Sequence, residues 1–149
     1  MKPNSARINY LYPNYNRNLM PGVFTFNKNE RLCSEKAIKE VFEKGNVMFE
    51  YPFKIFWIFT NEERSYPVRT AISIPKKKIK KAVKRNLLKR RVKEAIRLNK
   101  LDLYCELEEK EKKINLFIMY IENEVKDFEM INAKIIVTLQ RLLKEINRE

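Results

Sequence analysis

Between Pro75 and Lys100 the chain carries thirteen Lys or Arg residues and a single acid, Glu94. That leaves a local charge of +12 (thirteen cations less one anion) in a sequence whose formal total is +13. The rest of the protein is therefore close to neutral. The charges are ordered as well as numerous. At about 100° per residue, Asn86, Lys89, Arg90, Lys93 and Arg97 share an arc of roughly 100° on one side of a helix. Val83, Leu87, Leu88, Val92, Ala95 and Ile96 spread over the other side, wide enough for a buried face. Glu94 stands beside the stripe, four residues from Arg90, where an i,i+4 pair can form. A merely solvated lysine-rich face would intersperse acids, and this one has almost none. So concentrated a field attracts a polyanion and makes binding salt-sensitive through counterion release. Nucleic acid is the expected partner.

One domain is expected from 149 residues, and 44% hydrophobic content is enough for a core. No run of about 18 apolar residues is present, so no membrane span is expected. The first 23 residues lack a signal peptide's apolar region. Cys33 and Cys105 form neither a CxxC nor a disulfide framework, and they read as free thiols in a reducing cytoplasm. With no His and no Cys cluster, a structural zinc site is not expected.

The first 25 residues, rich in Asn, Tyr, Arg and Pro without clear periodicity, are expected to be a flexible extension. Their tyrosines, Tyr10, Tyr12 and Tyr15, lie between Arg7 and Arg17, a pattern that can also stack on unpaired bases. Ser34 reads as an N-cap before Ile38, Val41 and Phe42 at helical spacing, with Gly45 as the stop. Residues 53–60 and 69–75 read as strands, with Thr70, Ile72 and Ile74 on one face. A turn at Asn61, Glu62 and Glu63 would join them as an antiparallel pair, and residues 47–50 add a short strand. Residues 101–113 read as a surface helix with ion pairs rather than a metal site, because Lys110, Lys112 and Lys113 sit among its glutamates. Residues 114–121 form an apolar strand buried on both faces. Asp127 caps a last helix with a stripe of Phe128, Ile131, Ile135, Leu139, Leu142, Leu143 and Ile146. The order α-β-β-β-α-β-α gives an α+β fold, a two-layer α-β sandwich over residues 26–149.

The basic run reads Lys81-Ala82-Val83-Lys84-Arg85-Asn86, then Lys89-Arg90 and Lys93-Glu94. It resembles the signature of the protein subunit of bacterial ribonuclease P, K-A-V-x-R-N-x-x-K-R-x-x-R-E. The likeness extends to Phe26-Asn27-Lys28-Asn29-Glu30-Arg31-Leu32, Val41-Phe42-Glu43-Lys44-Gly45 and Ala71-Ile72-Ser73-Ile74-Pro75-Lys76-Lys77. The resemblance implies a left-handed β-α-β crossover around the basic helix. It also implies a cytoplasmic protein, one per RNA, that binds a catalytic RNA and helps remove 5′ leaders from precursor tRNA. Arg85, Asn86, Lys89, Arg90, Lys93 and Arg97 would then face the catalytic RNA. A cleft between the basic helix and the sheet would hold the leader, with Phe42, Phe53, Lys76, Lys77 and Lys81 as contacts. For Phe53, plain core packing is an equal alternative. The resemblance further implies no catalytic residue and no cofactor on the protein, with Mg²⁺ in the RNA holoenzyme.

Several positions depart from the family pattern. Lys93 stands where Arg is usual, which keeps charge but loses a bidentate donor. Ile38 occupies a position often aromatic, and Glu122 and Glu124 replace residues often basic. Residues 101–113 are longer than the usual connection, and the N-terminal extension has no counterpart. Two other function classes compete with this reading. A ribosomal or generic RNA-chaperone protein would also be small and basic, but gives no reason for this signature. An autonomous nuclease would need an acid and a base, and a chain without His whose carboxylates are interleaved with lysines supplies them poorly.

Overall fold

The structure, a computed structural model, describes residues 25–148. The expected N-terminal extension, apart from Thr25, lies outside them. A single 3-10 turn, Lys28–Glu30, comes first, closed by reciprocal caps. Asn27 Oδ1 accepts from the Asn29 amide at 3.0 Å, and Glu30 Oε2 accepts from the Asn27 amide at 2.9 Å. Helix α1 (Glu35–Lys44) starts at Ser34, whose hydroxyl accepts from the Ala37 amide, and stops at Gly45. The glycine is required by close approach: a Cβ there would lie 2.2 Å from the Val41 carbonyl oxygen. Strands β1 (Asn46–Glu50), β2 (Phe53–Thr60) and β3 (Val68–Ser73) follow, then helices α2 (Ala82–Asn99) and α3 (Leu101–Glu109). Strand β4 (Lys113–Tyr120) and helix α4 (Phe128–Arg148) complete the order. Asp127 caps α4 as expected, its carboxylate accepting from the Met130 amide at 2.9 Å.

The four strands make one sheet in the order β1-β2-β4-β3. The antiparallel β2–β3 pair expected from the turn at Asn61–Glu63 does not form. Instead β4 lies between them, antiparallel to β2 and parallel to β3. The reason is its composition. Ile114, Leu116, Ile118 and Tyr120 point to one core and Phe117 and Met119 to another, so β4 is apolar on both faces. Such a strand gains most at the centre, where both faces are covered and both edges are paired. The parallel β3–β4 pair needs a long crossover, which α2 and α3 provide. Residues 61–67 become a connection across the end of β4, held by Arg64. Its guanidinium donates to Asn115 Oδ1 at 2.7 Å and to the Ile114 carbonyl at 2.5 Å. Burial pushes the Arg64 pKa down to about 10.

Strand alternation sorts the side chains into two cores. Phe53, Ile55 and Trp57 of β2 join α2, α3 and α4 in the larger one. Phe56, from the opposite face, joins Leu32, Val41 and Phe117 under α1. The sandwich is therefore as expected, with α1 adding a partial cover on the sheet's other face. Helix α3 is the expected surface helix, and it is also part of the core. It carries one i,i+4 pair, Glu106–Lys110, but buries Leu103, Tyr104 and Leu107.

Candidate nucleic-acid interface

Helix α2 divides its residues much as the periodicity demands. Leu88, Val92, Ala95 and Ile96 are buried against the sheet and α4. Val83, expected on that face, is 78% exposed because the first turn overhangs the end of the core. The cations are not equivalent. Arg85 donates to the Ile79 and Lys80 carbonyls at 3.0 and 2.6 Å, fixing the helix entry. Arg91 donates to the Lys126 carbonyl at 2.5 Å and so docks the segment leading to α4. Glu94 pairs with Arg97 at i,i+3 (2.9 and 2.5 Å), not with Arg90. Of the stripe's cations, Lys89, Arg90 and Lys93 make no ion pair or hydrogen bond among the described residues, with Asn86 exposed beside them. Partial burial, with Arg31 and Lys89 nearby, pushes the Lys93 pKa down. Arg31, which sequence reasoning placed only in a motif, thus extends the positive surface.

The 3-10 turn that carries Arg31 is anchored from within. Glu30 and Lys100 are 0% and 1% exposed and form an ion pair, and Tyr104 donates to the same Glu30 oxygen at 2.6 Å. Lys100 also donates to the Thr25 carbonyl. Every buried polar side-chain atom among the described residues has a partner, which is the condition for a buried charge to persist.

Among the described residues, the expected cleft between the basic helix and the sheet is not open. The larger core fills that interval. Phe53 belongs to it, fully buried with its ring 5.9 Å edge-on from Tyr120, so it is packing and cannot receive a base. The open surface lies on the other face, beside α1. Phe42 is 40% exposed and leans on Phe56 and Phe117, with centroids 4.7 and 4.6 Å away. Strand register lines up Phe49, Lys54, Met119 and Ser73 as one row across all four strands. Phe49 is 58% exposed, and the Lys54 ammonium sits 5.1 Å from both the Phe49 and Phe56 rings. After Ser73 the chain runs into the turn at Pro75, where Lys76, Lys77 and Lys81 are exposed. Phe49 and Lys54 went unnoticed in the sequence. Their signal was parity, since each alternates with a buried neighbour.

Among the described residues no group of three or more His, Cys, Asp or Glu side chains could hold a metal ion. No described helix is long and apolar enough to cross a membrane. Burial pushes the Cys105 thiol up to about 11, away from the thiolate that nucleophilic chemistry needs.

A small α+β fold with a cationic helix outside and an aromatic row on the half-covered sheet face defines the class. Within it, the family model for ribonuclease P matches residues 26–147. The ribonuclease P protein component of Porphyromonas gingivalis is 33% identical over 122 residues, 82% of this chain and 89% of that protein. The chain belongs to the ribonuclease P protein family. In fold it is similar to the RNase P protein of Staphylococcus aureus, with a TM-score of 0.63 at 18% identity. That match covers 78% of this chain and 97% of the other. The RNase P protein of Thermotoga maritima gives a TM-score of 0.57 at 22% identity, covering 75% of this chain and 96% of the other.

Proposed function

We propose that this chain acts in tRNA 5′ maturation by gripping two RNAs from opposite sides of its sheet. The stripe of Asn86, Lys89, Arg90, Lys93 and Arg97, with Arg85 at the helix entry, binds the catalytic RNA. The surface formed by Phe42 of α1 with Phe49 and Lys54 of the sheet, leading to Lys76, Lys77 and Lys81, holds the single-stranded 5′ leader of precursor tRNA. One observation carries the reading: three clustered cations on α2 make no ion pair or hydrogen bond among the described residues, while the opposite side of the same helix is core. Lysines track phosphates, and exposed rings accept bases with little sequence preference.

The bond-breaking chemistry belongs to the RNA. Activating water needs a general base or a held metal, and this chain has no His. Several of its carboxylates are engaged elsewhere, including Glu30 with Lys100, Glu50 with Arg141, Glu62 with Arg69 and Glu94 with Arg97. Mg²⁺ then sits on RNA phosphates, and the protein improves substrate grip. Sequencing the RNA that co-purifies with the native protein tests the assignment. Ribonuclease P RNA is expected, and ribosomal RNA would overturn it in favour of a ribosomal or RNA-chaperone role. Protein stripped of RNA should leave precursor tRNA intact at any Mg²⁺ level, whereas RNA alone should cut slowly at high Mg²⁺ and need less once protein is added.

The leader row makes a separate prediction. Phe42→Ala should lose roughly 1–3 kcal/mol of preference for leader-bearing over mature tRNA. Because the ring is 40% exposed, its stability cost should stay below the about 3–5 kcal/mol of a fully buried Phe. Binding of the two tRNA forms alongside a thermal melt reads both. Unchanged leader discrimination in a folded variant removes Phe42 from the site.

A further inference from the structure

We propose that Phe26 forms the floor of a pocket for one unpaired nucleotide of the catalytic RNA, a proposal that rests on the RNA-binding reading above. A groove of about 420 Å³ opens beside the basic stripe, lined by Phe26, Arg90, Lys93, Glu94 and Arg97. Its walls bring three cations and one carboxylate, and that carboxylate is occupied, since Glu94 takes both hydrogen bonds from Arg97. The groove therefore offers an aromatic surface inside a net positive rim. That is the chemistry of a base stacked on a ring with its flanking phosphates on arginine and lysine.

The ring is held in place before any ligand arrives. Lys100, buried against Glu30, donates to the Thr25 carbonyl and lies 5.9 Å from the Phe26 ring centroid. A platform fixed by a buried ion pair loses little further freedom on binding, so more of the stacking energy appears as affinity. Phe26 is also only partly buried, where a residue serving packing alone would be covered. An acidic peptide would satisfy the cations but has no use for the exposed ring.

The test uses the full chain and the catalytic RNA. Phe26→Leu keeps an apolar packing group without a π face, and Phe26→Trp restores one. Phe26→Leu should weaken RNA binding by roughly 5- to 100-fold, the range of one lost base stack. Stacking releases no counterions, so the slope of log affinity against log salt should not change, and Phe26→Trp should bind near wild type. Chemical probing should reveal one RNA base protected by wild type and by Phe26→Trp but released by Phe26→Leu. Wild-type affinity in folded Phe26→Leu overturns the pocket, as does a loss accompanied by a flatter salt slope, which would mean the cations had moved. Failure of the wild-type chain to bind this RNA at all defeats the underlying RNA-binding reading instead.

Discussion

Glu30→Gln is expected to cost about 3–5 kcal/mol, because it strands the Lys100 ammonium in the interior. Against a total of about 5–15 kcal/mol for a domain, that is a large fraction. Lys100 is 1% exposed and cannot swing to water without opening the junction of α2 and α3. Burial already pushes its pKa below the usual value, and Glu30 opposes that push. In the variant only the downward push is left. A lysine with a lower pKa folded than unfolded makes the unfolded chain bind more protons between the two values, so stability rises with pH across that window. The deficit relative to wild type should therefore be largest at neutral pH and should narrow toward the unfolded lysine value of about 10.4. Paired thermal melts at neutral and alkaline pH measure it. A deficit that is small, or that does not narrow, means the pair is not what holds the 3-10 turn. The same variant should loosen Thr25 and Phe26 from the basic helix, because Lys100 holds both ends of that contact.

The parts legible in the sequence were those governed by local rules. The caps at Ser34 and Asp127, the stop at Gly45 and the stripe of α4 depend on neighbours within a turn or two, and all are observed. Pairing was not legible, because the partner of β2 lies more than fifty residues away and is chosen by the burial of β4 on both faces. The choice at Phe53 between core packing and a leader contact, equal alternatives in the sequence, was settled by the same feature. With β4 central and α2 packed down, the face that Phe53 shares with Ile55 and Trp57 becomes the closed one. The half-covered face passed to Phe42, Phe49 and Lys54. Glu94 shows a finer limit, since spacing allowed Arg90 or Arg97 and only side-chain geometry selected Arg97. The Glu30–Lys100 pair had no sequence signal, because seventy residues separate two charges that each look solvated.

Replacing Lys89, Arg90 and Lys93 together by Ala should abolish most of the electrostatic grip on RNA while leaving the fold cooperative. The buried side of α2, Leu88, Val92, Ala95 and Ile96, is untouched, and Ala is the best helix former. Each lost phosphate contact should flatten the slope of log affinity against log salt by up to about 0.7–0.9. Three contacts therefore remove up to about two to three units. Near 0.15 M salt the same relation gives about fivefold per contact, hence roughly a hundredfold for three. The loss should shrink toward nothing near 1 M salt, where counterion release no longer drives binding. This dependence separates the stripe from the Phe26 pocket, whose contribution should persist at high salt. It also separates it from Arg91, whose guanidinium serves the Lys126 carbonyl: Arg91→Ala should act on stability more than on salt slope. A triple variant that melts like wild type and keeps both its affinity and its slope would place the RNA surface elsewhere on the molecule.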